Sequence, residues 1–473
     1  MRRHFELFVA AAERYRSDLA VTDDRVSITY AELLSLVFTE QRRITVGSLD
    51  LSSSVMLETR NTVESVAQLI ALWSLGVDII LSEEISDSRL QGSGATHVCS
   101  ADHVSEVAND SRFLRTSDSL QAFYTSGTEG QPKLVAHNSE TLLSGLHQTI
   151  DVQHETIGAD REEARQISDA RLGLTLLTHM PIWSVAGFTV LQRALLVGEH
   201  VVMCEDQSVS HVLAQCTSKR VTNLSLSGFM AQQLSRSKLL TNLDCFIIGV
   251  GGSAVPAQVV RELESRSGCI VLVGYGTTET AGPVAMNRID DPIDIRTGSI
   301  GRALPGIDLS LVDSDPELED QEVRRLAVAC NSIMVGYIAE GVLVRRSPGP
   351  YITGDLAVID SKGYVTLYGR ADRVILRGGK RIDPAEIELV ALDHPDVVEA
   401  AVVGIPSRVA GEQDLLAFIV TNCSSDISPQ LRSWLHQRLP NHKIPRRLRL
   451  VDEIPKSRSG KPNYIQLSAS YGT

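Results

Sequence analysis

Residues 124–133 read Tyr-Thr-Ser-Gly-Thr-Glu-Gly-Gln-Pro-Lys, a loop rich in hydroxyl residues and glycine that follows a short apolar run. Gly127 and Gly130 allow the backbone to turn its N–H groups toward an anion. Hydroxyl and ammonium donors surround these glycines, supplied by Thr125, Ser126, Thr128 and Lys133. The loop therefore predicts a phosphate-binding site.

This segment is not the common P-loop. In that motif a hydroxyl residue follows the lysine, whereas here Lys133 follows a proline and precedes Leu134. Taken alone, the segment is also compatible with an ordinary surface loop of serine, threonine and glycine.

Four further motif segments follow in the chain and settle the interpretation. They are Tyr275-Gly-Thr-Thr-Glu279, Tyr351-Ile-Thr-Gly-Asp355, Gly369-Arg-Ala-Asp-Arg373 with Gly378-Gly-Lys-Arg-Ile-Asp-Pro-Ala-Glu-Ile-Glu388, and Pro455-Lys-Ser-Arg-Ser-Gly-Lys461. With these motifs the chain resembles the adenylate-forming superfamily, which includes acyl- and aryl-CoA synthetases, adenylation domains of peptide synthetases and luciferases. The resemblance spans residues 28–461.

The alternation of helical stretches with short apolar strands predicts an α/β fold with mainly parallel sheets. A length of 473 residues exceeds one ordinary core. We expect a large N-terminal domain of mixed, mainly parallel sheets with helices over residues 1–371. A small, mobile α+β lid domain is expected over residues 372–473, with its hinge at Asp372. Its first helix has a strong start signal, in which Asp383 is the cap and Pro384 the first helical residue.

Composition excludes several classes of protein. The net charge of −13 argues against a nucleic-acid or anionic-membrane partner. Seven irregularly spaced cysteines indicate no disulfide framework and no metal site, which favours the cytoplasm. Residues 172–192 lack charged side chains, but a proline and several hydroxyl residues there favour a buried strand, turn and helix over a membrane span. The N-terminus reads as an amphipathic helix, not as a signal peptide.

The nucleotide-binding residues follow from these motifs. A carboxylate that accepts two hydroxyl groups suits a ribose diol, and Asp355 supplies one in a Tyr-x-Thr-Gly-Asp turn. The resemblance implies that Asp355 binds the ribose, that Arg370 contacts the same nucleotide and that Tyr275 packs on adenine. It also places ATP against Gly276, Thr277, Gly252 and Ser253.

Catalysis is expected from Thr278, Glu279 and Lys461. A hard carboxylate beside a phosphate loop suits Mg²⁺, and the resemblance implies that Glu279, with Thr128, is associated with the metal and that Thr278 meets the α-phosphate. Lys461 matches the Pro-Lys-x-x-x-Gly-Lys pattern and would stabilise charge between the attacking carboxylate and the α-phosphate. The resemblance further implies that Gly378, Gly379 and Lys380 line a thiol tunnel.

Residues 246–254 also fit a dinucleotide fingerprint, G-x-G-x-x-A after a strand. That motif requires an acidic residue at the end of the next strand. The strand over residues 270–273 is followed by Gly-Tyr-Gly, and no carboxylate occurs before Glu279. A nicotinamide site is therefore disfavoured, and the resemblance assigns this segment to the acyl and adenine pocket.

The acyl pocket is expected to include Trp183, Ser184, Gly187, Arg193 and Gly251. No aspartate occurs within residues 180–188, which disfavours an α-amino acid as substrate. Residues 187–198 are similar to a stretch of o-succinylbenzoate-CoA ligases in which a basic residue can meet a second carboxylate. Arg193 would be that residue here, or else a solvated residue on a helix. Glu129, Leu134 and Ser184 depart from the pattern of the family.

The sequence thus predicts an AMP-forming ligase that activates a carboxylic acid with ATP and Mg²⁺ and transfers it to coenzyme A. A stand-alone adenylation enzyme that loads the phosphopantetheine of an acyl carrier protein is the first alternative. A degenerate member that binds nucleotide without turnover is the second, because Glu129 places a negative charge in the phosphate loop.

Overall fold

The computed structural model describes residues 1–45, 49, 53–100, 103–107, 118–125, 133–157, 172–241, 243, 245–312, 323–407, 412–456 and 462–470.

The largest sheet in the described part of the chain has nine strands. In spatial order these are β15 (Arg302–Ala303), β14 (Gly282–Met286), β13 (Ile270–Thr277), β12 (Ile247–Gly251), β11 (Asn223–Ser227), β9 (Thr175–Thr178), β10 (His200–Met203), β1 (Leu19–Thr22) and β2 (Ser27–Thr29). The strands from β13 to β1 run parallel, and antiparallel strands close both edges. The carboxyl ends of the parallel strands therefore share one edge of the sheet.

A second sheet has eight strands among the described residues. Their order is β19 (Val342–Arg345), β18 (Gly336–Ala339), β8 (Leu134–Asn138), β7 (Leu120–Tyr124), β4 (Asp78–Ser82), β3 (Ser54–Glu58), β5 (His97–Cys99) and β6 (Val104–Glu106). The strands from β7 to β5 are parallel.

Helices cover and separate these two sheets. They are α1 (Arg2–Arg14), α2 (Tyr30–Thr45), α3 (Val63–Leu75), α4 (Asp87–Ser93), α5 (Ser139–Ile157), α6 (Val185–Val197), α7 (Val209–Ser218), α8 (Gly228–Arg236), α9 (Ala257–Ser267) and α10 (Ile293–Gly298). The rings of Phe123 on β7 and Phe188 on α6 lie 5.2 Å apart in a shared core, and Trp73 of α3 packs edge-on against Phe188. This core joins elements of both sheets.

A four-stranded antiparallel sheet follows, in the order β16 (Asp308–Val312), β17 (Arg324–Ala329), β20 (Tyr351–Ile359) and β21 (Val365–Arg370). Its strands β20 and β21 carry Asp355 and Arg370 as register partners.

The C-terminal part of the chain forms a smaller α+β unit. It contains β22 (Ile375–Arg377), β23 (Lys380–Ile382), α11 (Pro384–Leu392), β24 (Val397–Pro406), β25 (Gln413–Thr421), α12 (Ser428–Arg438), β26 (Arg447–Leu450) and α13 (Tyr464–Ala469). Ile387 of α11, Ile419 of β25 and Leu431 of α12 share a core of their own. The predicted α/β class with a small C-terminal unit is confirmed, and α11 begins at Pro384 with the Asp383 side chain as its cap.

The apolar stretch at residues 172–192 forms β9, a turn and the first part of α6, as the sequence predicted. No helix among the described residues is long and apolar enough to cross a membrane. All seven cysteines are free thiols. Five of them are buried, whereas Cys330 and Cys423 are partly exposed.

Candidate active site

The two ends of the predicted phosphate loop meet at the start of the antiparallel pair β7 and β8. The Thr125 N–H donates to the Lys133 carbonyl at 2.8 Å. Residues 126–132 of the loop lie outside the described part of the chain. They include the predicted ATP-binding residues Ser126, Gly127, Thr128 and Gly130, and Glu129, which departs from the family pattern. Leu134, which replaces a glycine of the family pattern, is 3% exposed and packs in the core beside Ile338. Its side chain is thus accommodated within the sheet.

Tyr337 lies between Lys133 and Glu279 and contacts both. The Lys133 Nζ is 5.9 Å from the centre of the Tyr337 ring, and the Tyr337 hydroxyl donates to Glu279 Oε1 at 2.9 Å. Tyr351 is a partly buried neighbour of Tyr337 and Glu279, and burial raises the pKa of both phenols well above the usual value. The Glu279 carboxylate is therefore oriented by a neutral hydroxyl donor, Tyr337.

Thr278 and Glu279 belong to a single turn of 3-10 helix over Thr278–Thr280, directly after β13. His137 of β8 contacts this turn, with Nε2 2.8 Å from the Thr278 carbonyl and Nδ1 3.1 Å from the Thr141 hydroxyl. Burial lowers the pKa of His137 to about 4, so the ring is neutral at pH 7 and its Nε2–H donates to the carbonyl. The turn is thereby joined to the strand that follows the phosphate loop.

Tyr275 and Asp355 meet at the end of β13. The Tyr275 hydroxyl donates to Asp355 Oδ2 at 2.6 Å, and burial raises the pKa of this phenol. Arg370 Nη1 lies 3.8 Å from Asp355 Oδ1, while Arg370 Nε and Nη2 donate to both carboxylate oxygens of Asp372. Three of the predicted nucleotide residues and the predicted hinge residue thus form one connected cluster.

The remaining residues predicted to bind the nucleotide lie along the carboxyl ends of adjacent strands. Gly276 and Thr277 end β13, and Gly251 ends β12. Gly252 and Ser253 follow directly and are exposed to solvent. The structure brings these residues to the same edge of the sheet as Tyr275 and Glu279.

The predicted acyl-pocket residues at the start of α6 have clear structural partners. Ser184 caps the helix, since its Oγ accepts from the Gly187 N–H at 3.2 Å and donates to the Pro181 carbonyl at 2.7 Å. Trp183, which precedes the cap, is 8% exposed and belongs to the shared core. Ser184, which departs from the family pattern, therefore stabilises the helix start.

Arg193 is buried and forms an ion pair near the C-terminal end of α6. It is 3% exposed, so the interpretation as a solvated helix residue is wrong. Its Nη2 pairs at 3.2 Å with Oε1 of Glu199, a fully buried residue just beyond the C-terminus of α6. Nine residues separate Arg193 from Ser184, about 13 Å along the helix axis. The structure does not bring Arg193 together with Trp183 and Ser184, because its pairing with Glu199 holds it near the other helix end.

Among the site residues predicted in the C-terminal unit, Lys461 lies outside the described part of the chain. Lys456 and Pro462, on either side of it, form an antiparallel bridge. Gly378 and Gly379 form the two-residue turn between β22 and β23 with φ of 60° and 71°, and Lys380 is exposed beside them.

Sequence reasoning did not identify Tyr337 or His137 as residues of the site. A Gly-Tyr pair at residues 336–337 gives no local signal, because Tyr337 reaches Glu279 only after β18 has paired with β8. His137 lies in an otherwise apolar strand, which was the one available hint.

The comparison with protein families matches this architecture. The AMP-binding enzyme family matches residues 80–338, and the AMP-binding enzyme C-terminal domain matches residues 386–461. The chain is 26% identical over 481 residues to the 2-succinylbenzoate–CoA ligase of Bacillus pumilus, covering 93% of this chain and 94% of that protein. It is 28% identical over 348 residues to a long-chain-fatty-acid–CoA ligase of Escherichia coli O157:H7, covering 72% and 59%.

Solved structures agree at the level of the fold. The o-succinylbenzoate coenzyme A synthetase from Bacillus subtilis, in complex with ATP and magnesium ion, superposes with a TM-score of 0.80 at 22% identity. The superposition covers 98% of each chain.

Proposed function

Because this chain belongs to the AMP-binding enzyme family, we propose that it activates a carboxylic acid with ATP and transfers the acyl group to coenzyme A. In the first half-reaction a carboxylate oxygen attacks the α-phosphorus of ATP, and pyrophosphate leaves with the electron pair of the broken bond. In the second, the thiolate of coenzyme A attacks the acyl carbon of the adenylate, AMP leaves, and a thioester forms. The chain is thus an AMP-forming ligase.

The observation that carries this proposal is the connected cluster of Tyr275, Asp355 and Arg370 beside the Glu279 turn. The Asp355 carboxylate, which Tyr275 orients through Oδ2, would accept hydroxyl groups of the ribose. Arg370 brings positive charge to the same carboxylate. This end of the site would hold the nucleoside, with the aromatic ring of Tyr275 available to adenine.

Glu279 fits a role in Mg²⁺ binding. Its carboxylate offers hard oxygen ligands, and the Tyr337 phenol that orients it is a neutral donor that leaves its charge intact. Glu279, with Thr128 of the loop, would hold the ion. Bound Mg²⁺ would neutralise charge on the phosphates.

The phosphates would lie between the loop and the Thr278 turn. His137 fixes the Thr278 carbonyl, which leaves the Thr278 hydroxyl to contact the α-phosphate. Lys133, at the exit of the loop, would supply positive charge near Tyr337, the residue that orients Glu279. Positioning and electrostatic stabilisation would account for most of the rate acceleration in such a reaction.

We propose that residues 372–473 act as a lid that rotates at Asp372. Lys461 would reach the α-phosphate in the first half-reaction, and the Gly378–Gly379–Lys380 turn would line the path of the thiol in the second. The bridge between Lys456 and Pro462 supports this assignment, because it holds both ends of the Lys461 segment together on the small unit.

The test is ATP–pyrophosphate exchange across a panel of aliphatic, aromatic and dicarboxylic acids. We expect exchange that depends on one class of acid and is abolished by Lys461→Ala. The same variant should still convert a supplied acyl-adenylate to the thioester. Binding of ATP with no exchange for any acid would instead support the degenerate member of the family.

The acceptor is tested separately. Incubation of the acyl-adenylate with coenzyme A or with a phosphopantetheinylated acyl carrier protein should give the thioester of coenzyme A at the higher rate. If the carrier protein were loaded faster, the thiol acceptor would be the carrier protein and not coenzyme A.

A further inference from the structure

His179 is a buried histidine that none of the assignments above uses. It follows β9 directly, at the carboxyl edge of the nine-stranded sheet, and is 4% exposed. Its only hydrogen-bond partner within the described residues is Ser227, the last residue of β11.

The backbone determines which ring nitrogen of His179 carries the proton. The Ser227 N–H donates to His179 Nε2 at 3.1 Å. Since a backbone N–H can only donate, Nε2 must be unprotonated, and the proton of the neutral ring lies on Nδ1. Burial lowers the pKa of His179 to about 4, which agrees with a neutral ring at pH 7.

This assignment leaves Nδ1–H as a donor without an acceptor. The atom is shielded from solvent and has no hydrogen-bond partner in the described part of the chain. Buried polar groups in native proteins are nearly always paired, and an unpaired one costs free energy. At a ligand-binding edge, an acceptor supplied by a ligand would pair such a donor.

The carboxyl ends of neighbouring strands connect His179 with the residues predicted to bind the nucleotide. Its partner Ser227 is in register with Gly251 on β12, and the neighbouring strand β13 carries Tyr275. Three strand spacings separate β9 from β13, about 14 Å at the usual distance between strands. In open parallel sheets, ligands bind outside the carboxyl ends of the strands. An acid with its carboxylate near Thr278 would extend along this edge toward His179.

We propose that His179 Nδ1–H binds a neutral oxygen acceptor, such as a keto, ether or hydroxyl oxygen, at the distal end of the substrate acid. A second carboxylate fits this position less well, because a buried anion requires a cation, and Arg193 lies near the C-terminal end of α6, where its Nη2 pairs with Glu199. This inference rests on the proposed acid-activating function and specifies its substrate class.

The experiment compares matched acids that differ by one acceptor, such as a keto group in place of a methylene group. The measured quantity is kcat/KM in acid-dependent pyrophosphate exchange. Two variants separate the two ring nitrogens. His179→Asn retains a donor near the position of Nδ1, whereas His179→Gln retains an acceptor for the Ser227 N–H but loses the Nδ1 donor. His200→Gln, at the opposite end of neighbouring β10, is the control.

For at least one matched pair we expect the wild type to prefer the acceptor-bearing acid by about tenfold or more, equivalent to about 1.4 kcal/mol. This preference should persist in His179→Asn and His200→Gln and disappear in His179→Gln, with all variants folded by thermal unfolding. Exchange without any preference in the wild type, or an equal preference in His179→Gln, would overturn the inference while leaving the proposed function intact. Absence of exchange with every acid would overturn both.

Discussion

At the scale of single residues, the two carboxylates of the candidate site each accept a phenolic hydroxyl. Glu279 accepts from Tyr337 and Asp355 from Tyr275. A neutral donor orients a carboxylate without cancelling its charge. The motifs revealed the two acids. They did not reveal Tyr337, because only tertiary pairing of distant strands places it there.

We predict that Tyr337→Phe lowers the affinity for Mg²⁺ during pyrophosphate exchange. Loss of the hydroxyl releases one Glu279 oxygen, and loss of such an outer partner typically lowers metal affinity 10–100-fold. The Mg²⁺ concentration for half-maximal pyrophosphate exchange should rise about tenfold, with a smaller change in KM for the acid. Tyr364→Phe removes a hydroxyl from Asp291, another Tyr–Asp pair, and is the control. Equal Mg²⁺ dependence in both variants would show that Tyr337 does not orient the metal ligand.

A second prediction concerns the buried pair of Arg193 and Glu199. Arg193→Met leaves the Glu199 charge buried without its partner, and breaking such a pair costs about 3–5 kcal/mol in the free energy of unfolding. The double variant with Glu199→Gln removes that charge and should recover most of the loss. Urea unfolding of the wild type and both variants measures this. If the double variant were as unstable as the single one, the loss would lie in packing and not in charge.

At the scale of elements, local signals predicted helices and strands well where caps and breakers are explicit. Asp383 and Pro384 marked the start of α11, and the helix that ends before Gly76 begins after Thr62, whose hydroxyl caps it. Pairing between distant strands was not predictable. The contact of β8 with β18 joins segments about 200 residues apart, and nothing in either strand's periodicity specifies its partner.

The cap of α11 gives a pH-dependent prediction. Burial raises the pKa of Asp383 to about 7, although the Ala385 N–H and Arg373 oppose this shift. In the unfolded chain the pKa of an aspartate is about 3.9. Between these values the folded state binds a proton that the unfolded state does not, so this residue's contribution to stability falls as pH rises from about 4 to about 7.

Asp383→Asn keeps a good cap and removes the titration. The stability of the wild type relative to this variant should therefore decrease between pH 5 and pH 8, as measured by urea unfolding. Asp426→Asn is the control. Hydrogen bonds from Ser428 lower the pKa of Asp426, so its contribution is constant over the same range. If the difference in the free energy of unfolding between the wild type and Asp383→Asn did not change with pH, an elevated pKa of Asp383 would be excluded.

At the scale of the whole molecule, the segment between the four-stranded sheet and the small unit is the proposed hinge. Arg370 and Asp372 form a bidentate pair across it, and the Asp383 carboxylate packs against Gly369, where a Cβ atom would overlap with it. The motif identified this segment in the sequence. The sequence could not show that the hinge residue pairs with a residue of the nucleotide cluster.

We predict that Asp372→Pro separates the two half-reactions. Proline fixes φ near −65° and restricts Ala371, which would trap one arrangement of the lid. Pyrophosphate exchange should remain largely intact, whereas thioester formation from coenzyme A should fall at least about tenfold, a barrier change of about 1.4 kcal/mol.

Asp372→Ala, which loses the Arg370 pair but keeps backbone freedom, is the control for this experiment. A similar loss of thioester formation in the alanine variant would assign the effect to the ion pair. Wild-type rates for the proline variant in both half-reactions would show that no rotation at residue 372 is required.

The uneven exposure of the seven thiols makes the native chain suitable for distance spectroscopy. Cys330 precedes the hinge and Cys423 follows it, and both are partly exposed, whereas the other five are buried. Maleimide dyes under native conditions should therefore label this pair first, with no cysteine introduced or removed. A donor and acceptor dye on these two sites would report any displacement of one unit against the other as a change in energy transfer during turnover.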